Sequence, residues 1–129
     1  MVRTALLALL AAGAAALAGG TQTSMPDSPA PAGSFAPQLA RAADGSVLLS
    51  WLEKQPSNQH RFRVARLRRG AWEPAVTIAE GAQFFANWAD VPAVSEQRGL
   101  LFAHWLEKSG QGTYAYHVKL RSSRDGRTW

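Results

Sequence analysis

An all-β fold of consecutive four-stranded antiparallel meanders is predicted by three observations. First, short apolar runs rich in Val, Leu and Trp alternate with Gly, Asp and Pro turn signals, as in Asp44-Gly45, Gly70 to Pro74 and Asp125-Gly126. Second, the chain repeats itself. Gly45-Ser46-Val47-Leu48-Leu49-Ser50-Trp51-Leu52-Glu53-Lys54 aligns without gaps on Gly99-Leu100-Leu101-Phe102-Ala103-His104-Trp105-Leu106-Glu107-Lys108, an offset of 54 residues. Repeats of this length belong to propeller blades, solenoids or arrays, and strand-rich content selects the propeller. Third, Ser123-Arg124-Asp125-Gly126-Arg127-Thr128-Trp129 reads as a hairpin tip held by its own side chains. Its Asp accepts backbone N–H bonds, its Gly takes a positive φ, and its Trp anchors the return strand.

Each element follows in order. Residues 1–20 read as a secretory signal helix, with Arg3 ahead of an Ala/Leu run from Ala5 to Leu17 and small residues at Ala16 and Ala18. Gly20 stands where a lipobox would need Cys, so no lipid anchor and no stable membrane attachment after cleavage are expected; an uncleaved N-terminal anchor is the alternative. Residues 21–33, with Pro26, Pro29 and Pro31, read as a linker. Residues 34–80 form the first blade: strands over Pro37 to Ala43, Ser46 to Glu53, Arg61 to Arg68 and Ala75 to Ala79, with a polar loop from Lys54 to His60. A slip in alternation between Val64 and Leu67 predicts a bulge there. Residues 81–129 form the second, with strands over Pro92 to Ser95, Leu100 to Leu106 and Tyr114 to Arg121. In the last of these, Tyr114, Tyr116, Val118 and Leu120 share one face. The fourth strand is missing, so the chain is expected to be about two blades of a longer propeller, with a complete two-sheet protein as the alternative.

The 129 residues carry a formal charge of +5 and no cysteine. A surplus of this size suits polyanions or an acidic sugar, is also ordinary for a soluble surface, and comes with no nucleic-acid-binding signature. Without Cys there is neither a thiol nucleophile nor a thiolate metal site. His60, His104 and His117 are not at metal-ligand spacing, and no Gly-rich phosphate loop occurs, so no metal or cofactor is expected. His104, in an apolar strand, reads as a core histidine.

The terminal stretch resembles the Asp-box of sialidase-type (BNR-repeat) β-propellers, Ser/Thr-x-Asp, then Gly-x-Thr-Trp, and the resemblance spans roughly residues 34 to 129. It implies an exported protein, bacterial periplasmic or extracellular, that acts on or binds glycans as glycoside hydrolases of exo-α-sialidase type do. It also implies that Ser123, Asp125, Gly126, Thr128 and Trp129 hold the fold, on the face opposite the active site. The family's early Phe/Tyr-Arg-Ile-Pro motif finds its best match at Ser34-Phe35-Ala36-Pro37-Gln38-Leu39, with Phe35 in the Arg position. The loop from Lys54 to His60, where the family places an acid, has no Asp or Glu.

Candidate contacts lie in Glu80 to Asp90. Asn87, Trp88 and Asp90 make a sugar-contacting set: an amide to hydrogen-bond, an indole to stack on, a carboxylate to accept or protonate. Asp90 is the candidate general acid. Alternatively, Phe84, Phe85 and Trp88 fill the gap between blades while Asp90 caps a turn. Glu53 and Glu107 end the second strands beside the polar loops, where a site-rim role is one reading; their presence in both repeats reads instead as structural, paired with Lys or Arg. The function classes that remain are a glycosidase, a non-catalytic carbohydrate- or protein-binding propeller of the envelope, and an inactive truncated product.

Overall fold

The computed structural model describes residues 24–129, and the expected signal helix lies outside them. Among the described residues there is no helix. Nine strands form two antiparallel sheets. The first sheet contains β1 (Phe35–Arg41), β2 (Val47–Gln55), β3 (Gln59–Arg68), β4 (Ala71–Trp72) and β5 (Val76–Gly81). The second contains β6 (Phe84–Phe85), β7 (Ala93–Gln97), β8 (Leu100–Lys108) and β9 (Tyr116–Ser123). The two copies of the repeat are the two central strands: β2 lies between β1 and β3, and β8 between β7 and β9.

Each sheet has one edge shared by two successive strands. In the first it is the outer edge, where β4 pairs with the end of β3 and β5 with its beginning. In the second it is the inner edge, where β6 pairs with Leu106 and Glu107 of β8, and β7 with residues 100–104. Sequence reading placed Phe84 and Phe85 in a loop. They are strand because they satisfy the backbone of β8 beyond the point where β7 stops, and the N–H of Lys108 extends the ladder to the Gln83 carbonyl at 2.7 Å.

Three other expectations shift. Strands β2 and β3 extend through Gln55 and Gln59, which pair, so the polar loop shrinks to Pro56, Ser57 and Asn58. Ser57 and Asn58 take positive φ (59° and 54°), which lets the hairpin close tightly. The bulge is not between Val64 and Leu67, where the β2–β3 register runs unbroken. It is on β5: Phe62 pairs with Ala79 and Arg63 with Thr77, so Ile78 is the extra residue, and it is buried. The slip read from sequence arises because Val64 and Ala65 are both buried, on opposite faces of β3. The third strand of the second sheet starts at Tyr116 instead of Tyr114.

The sheets pack face to face. Leu48, Leu52, Phe62, Val64 and Ile78 from the first meet Val94, Leu101, Ala103 and Trp105 from the second. Phe62 is completely buried and meets Trp105 edge to face, ring centroids 6.0 Å apart. Burying a side chain of this size stabilises by about 1.5–3 kcal/mol.

The recurring Trp-Leu-Glu-Lys does the same work twice. The Trp51 indole N–H donates to Glu53 at 2.9 Å, and that of Trp105 to Glu107 at 2.8 Å. Glu53 faces Arg63 across the strands at 3.9 Å, and Glu107 faces Lys119 at 3.5 Å. Lys54 lies over the Phe35 ring at 5.7 Å, and Lys108 over Phe85 at 4.6 Å. Phe35 pairs with Leu52 as Phe85 pairs with Leu106, so these phenylalanines are equivalent positions. After Phe35 the ladder resumes at Gln38, opposite Ser50; after Phe85 it resumes at Ala93, opposite His104. Two residues intervene in the first sheet and seven, Ala86 to Pro92, in the second.

Register places Phe102, His104 and Leu106 of β8 with Tyr116, Val118 and Leu120 of β9 on the face turned away from the first sheet. Val118 is 70% exposed, Leu120 66% and His104 is exposed too. His104 is therefore not a core histidine: the face it shares carries no second layer among the described residues.

Candidate functional site

The seven-residue excursion Ala86 to Pro92 leaves the inner edge of the second sheet and returns to it. Its tip is a self-contained turn. The Asn87 side-chain oxygen accepts the N–H groups of Ala89 and Asp90, both at 2.7 Å. The Asn87 amide donates to the Asp90 carboxylate at 2.9 Å, and the Asn87 N–H donates to the Asp90 carbonyl at 3.2 Å. Asn is suited to this because its short amide reaches backbone donors two and three residues on.

The structure thus brings Asn87 and Asp90 together and gives both a turn-holding task, while Trp88 projects outward, 96% exposed. The side chain that caps the turn is Asn87 and not Asp90, whose carboxylate accepts from the Asn87 amide, and Trp88 does not fill a gap between sheets. Phe84 does: its ring stacks on Trp105 at 6.0 Å. Phe85 stacks on Tyr116 at 5.4 Å and 11°. These two rings root the excursion on both faces of β8, so a flexible-looking stretch springs from rigid footings.

The carboxylates around the excursion all have partners. Asp90 accepts from Asn87, Glu80 pairs with Arg61, and Glu107 accepts the Trp105 indole and faces Lys119. Glycoside hydrolysis ordinarily needs a carboxyl free to give a proton and a second group on the other side of the scissile bond. Phe35, in the position where the resembled family has its Arg, packs against His60 at 5.6 Å. Among the described residues no three His, Asp or Glu side chains converge as metal ligands would.

The terminal turn lies at the other end of β8, where Ser123 pairs with Leu101. Five residues of strand separate Leu101 from Leu106, which is about 17 Å at the usual rise. Asp125 accepts the N–H of Thr128 and of Arg127, each at 2.8 Å, and the Ser123 hydroxyl at 3.0 Å. These donors, the Thr128 N–H first, hold its carboxyl far below the usual carboxylate range. The Gly126 N–H donates to the Ser123 hydroxyl at 2.8 Å, and the Trp129 indole to the Gly126 carbonyl at 3.3 Å. Ser123 is buried, Trp129 packs against the core, and every side chain of the motif read as structural is engaged in holding the turn.

A second carboxylate is held in the same manner. The Ser46 hydroxyl and N–H, then Arg68 and Arg66, keep Asp44 well below its ordinary range. It closes the β1–β2 turn at the Asp44-Gly45 step that the sequence marked as a turn.

No family model matches the chain, and no curated protein or solved structure matches it either.

Proposed function

We propose that the chain is a carbohydrate-binding module of propeller type, exported and non-catalytic, with Trp88 as its stacking platform. The observation that carries this reading is an indole 96% exposed at the tip of a turn fixed by four hydrogen bonds. A large apolar ring in water forgoes its burial energy, which a ligand covering it would recover. Its flat face suits the apolar face of a sugar ring, while the indole N–H remains free for a hydroxyl.

The propeller reading is supported by two consecutive antiparallel sheets with equivalent central strands and by the terminal turn's likeness to an Asp-box. The binding reading is favoured over hydrolysis because the carboxylates near the excursion are already engaged. A glycan array followed by calorimetry on the best glycan tests it. Trp88→Ala should weaken binding at least tenfold with the circular dichroism spectrum unchanged, and Trp88→Phe should retain part of it. Unaltered binding by Trp88→Ala would sink the proposal. So would sugar release by the wild type that Asp90→Asn abolishes.

A further inference from the structure

We propose a second binding site, for a small amphiphilic carboxylate, in the cleft between the two sheets beside the terminal turn. It is independent of the glycan reading, because it sits at the opposite end of β8 from Trp88.

The cleft has two adjoining parts. One is a cavity of about 440 Å³ walled by Leu48, Val64, Val76, Leu101 and Trp129. That volume is within the range of small-molecule sites, about 300–1,000 Å³. The other, of about 290 Å³, is lined by Arg66, Arg68, Arg124 and Arg127. Arg66, Glu73, Leu101, Asp125 and Arg127 border both, so the apolar chamber opens onto the arginines.

The charges in this mouth are not all spent. Arg66 faces Asp44 and Glu96 at 3.5 and 3.6 Å, and Arg68 faces Asp44 and Glu73 at 2.7 and 3.4 Å. Glu73 and Glu96 are thereby engaged, and the Asp125 carboxylate is occupied inside its own turn. Arg124 and Arg127 take part in no ion pair among the described residues.

Their position in the turn adds a separate reason. The turn is held by the side chains of Ser123, Asp125 and Thr128, the backbone of Gly126 and the indole of Trp129. It asks nothing of the side chains at 124 and 127, using only the N–H of Arg127. The two positions it leaves free are both arginine, and both line the same mouth. Two guanidinium groups offer forked donors that match a carboxylate. An aliphatic or aromatic body attached to that carboxylate would occupy the apolar chamber.

Decanoate is the probe, titrated calorimetrically into the full chain and mapped by amide NMR shifts. The expected result is one molecule per chain, with shifts at Val76, Leu101 and Trp129. Affinity should fall at least tenfold in Arg124→Gln/Arg127→Gln and at least tenfold for uncharged 1-decanol. Ala75→Trp, which fills the chamber, should abolish binding, whereas Val118→Lys/Leu120→Lys on the open face of β9 should leave it unchanged. The arginine pair can be replaced without touching the turn's bonds, so unfolding is not expected to confuse the result, and the unfolding midpoint checks this. Absence of decanoate binding would overturn the proposal, as would binding indifferent to the arginine pair or binding lost in the β9 variant. Sedimentation with phosphatidylglycerol vesicles in place of decanoate binding would point to a lipid surface and equally overturn it.

Discussion

Gly126 offers a sharp test of how the terminal turn is built. Its φ is +71°, and a Cβ placed on it would stand 3.2 Å from Cδ1 of Leu101, a residue only 3% exposed. Gly99 is its control. It has a φ of +78° in the β7–β8 turn, and a Cβ there meets nothing within 4 Å. An L-residue in the left-handed region costs about 1–2 kcal/mol. Both alanine substitutions carry that cost. At Gly126 the new methyl must also push Cδ1 of the packed Leu101 back by a few tenths of an ångström, and overpacking adds about 1–3 kcal/mol. Gly99→Ala should therefore lose roughly 1–2 kcal/mol and Gly126→Ala roughly 2–5 kcal/mol. Urea unfolding followed by Trp fluorescence measures this as a lower midpoint at unchanged slope. A loss at Gly126 no larger than that at Gly99 would refute the claim that the turn presses against Leu101.

Three further outcomes are expected. Trp105→Phe should destabilise by roughly 2–3 kcal/mol, because it leaves the half-buried Glu107 carboxylate without its indole donor and opens space beside Phe62 and Phe84; chemical denaturation reads this directly. Asp125 has a folded pKa below its unfolded one, so its contribution is complete above the ordinary carboxylate value of about 4 and is lost as pH falls from there through the folded value; Asp125→Asn should be less stable at pH 7 and flatter below pH 4 in a series of thermal melts. Val118→Lys/Leu120→Lys should change stability by no more than about 0.5 kcal/mol per site, since both side chains are already in water, as the urea midpoint would show.

The central strands were the most legible part of the chain. Strands β2 and β8 carry near-continuous apolar runs bounded by turn residues, and the repeat marks them as equivalents. Less legible was whatever depends on a distant partner. Two residues such as Phe84 and Phe85 have no periodicity to read, and only the vacant backbone of β8 makes them a strand. The equivalence of Phe35 and Phe85 was hidden because two residues follow one and seven the other before the ladder resumes. The bulge was misplaced because alternation records which side chains are buried, not which strand holds the extra residue. Within the candidate site, composition marked Asn87, Trp88 and Asp90, but not that two of them bind each other and leave the third alone in water. The arginine-lined mouth was unreadable because Arg66 and Arg68 reach it from a different sheet than Arg124 and Arg127.

The excursion Ala86 to Pro92 has a use beyond its native one. Its ends are pinned almost side by side, since between Phe85 and Ala93 the facing strand advances only from Leu106 to His104. The first sheet tolerates two residues at the same place. Chain length there is thus nearly decoupled from the ladder, and doubling such a segment costs only about 0.6 kcal/mol of closure entropy. Foreign peptides spliced in place of Asn87 to Asp90 should be displayed on firm aromatic footings without disturbing the sheet beneath, making this the natural graft point for anyone wishing to give the scaffold a new specificity.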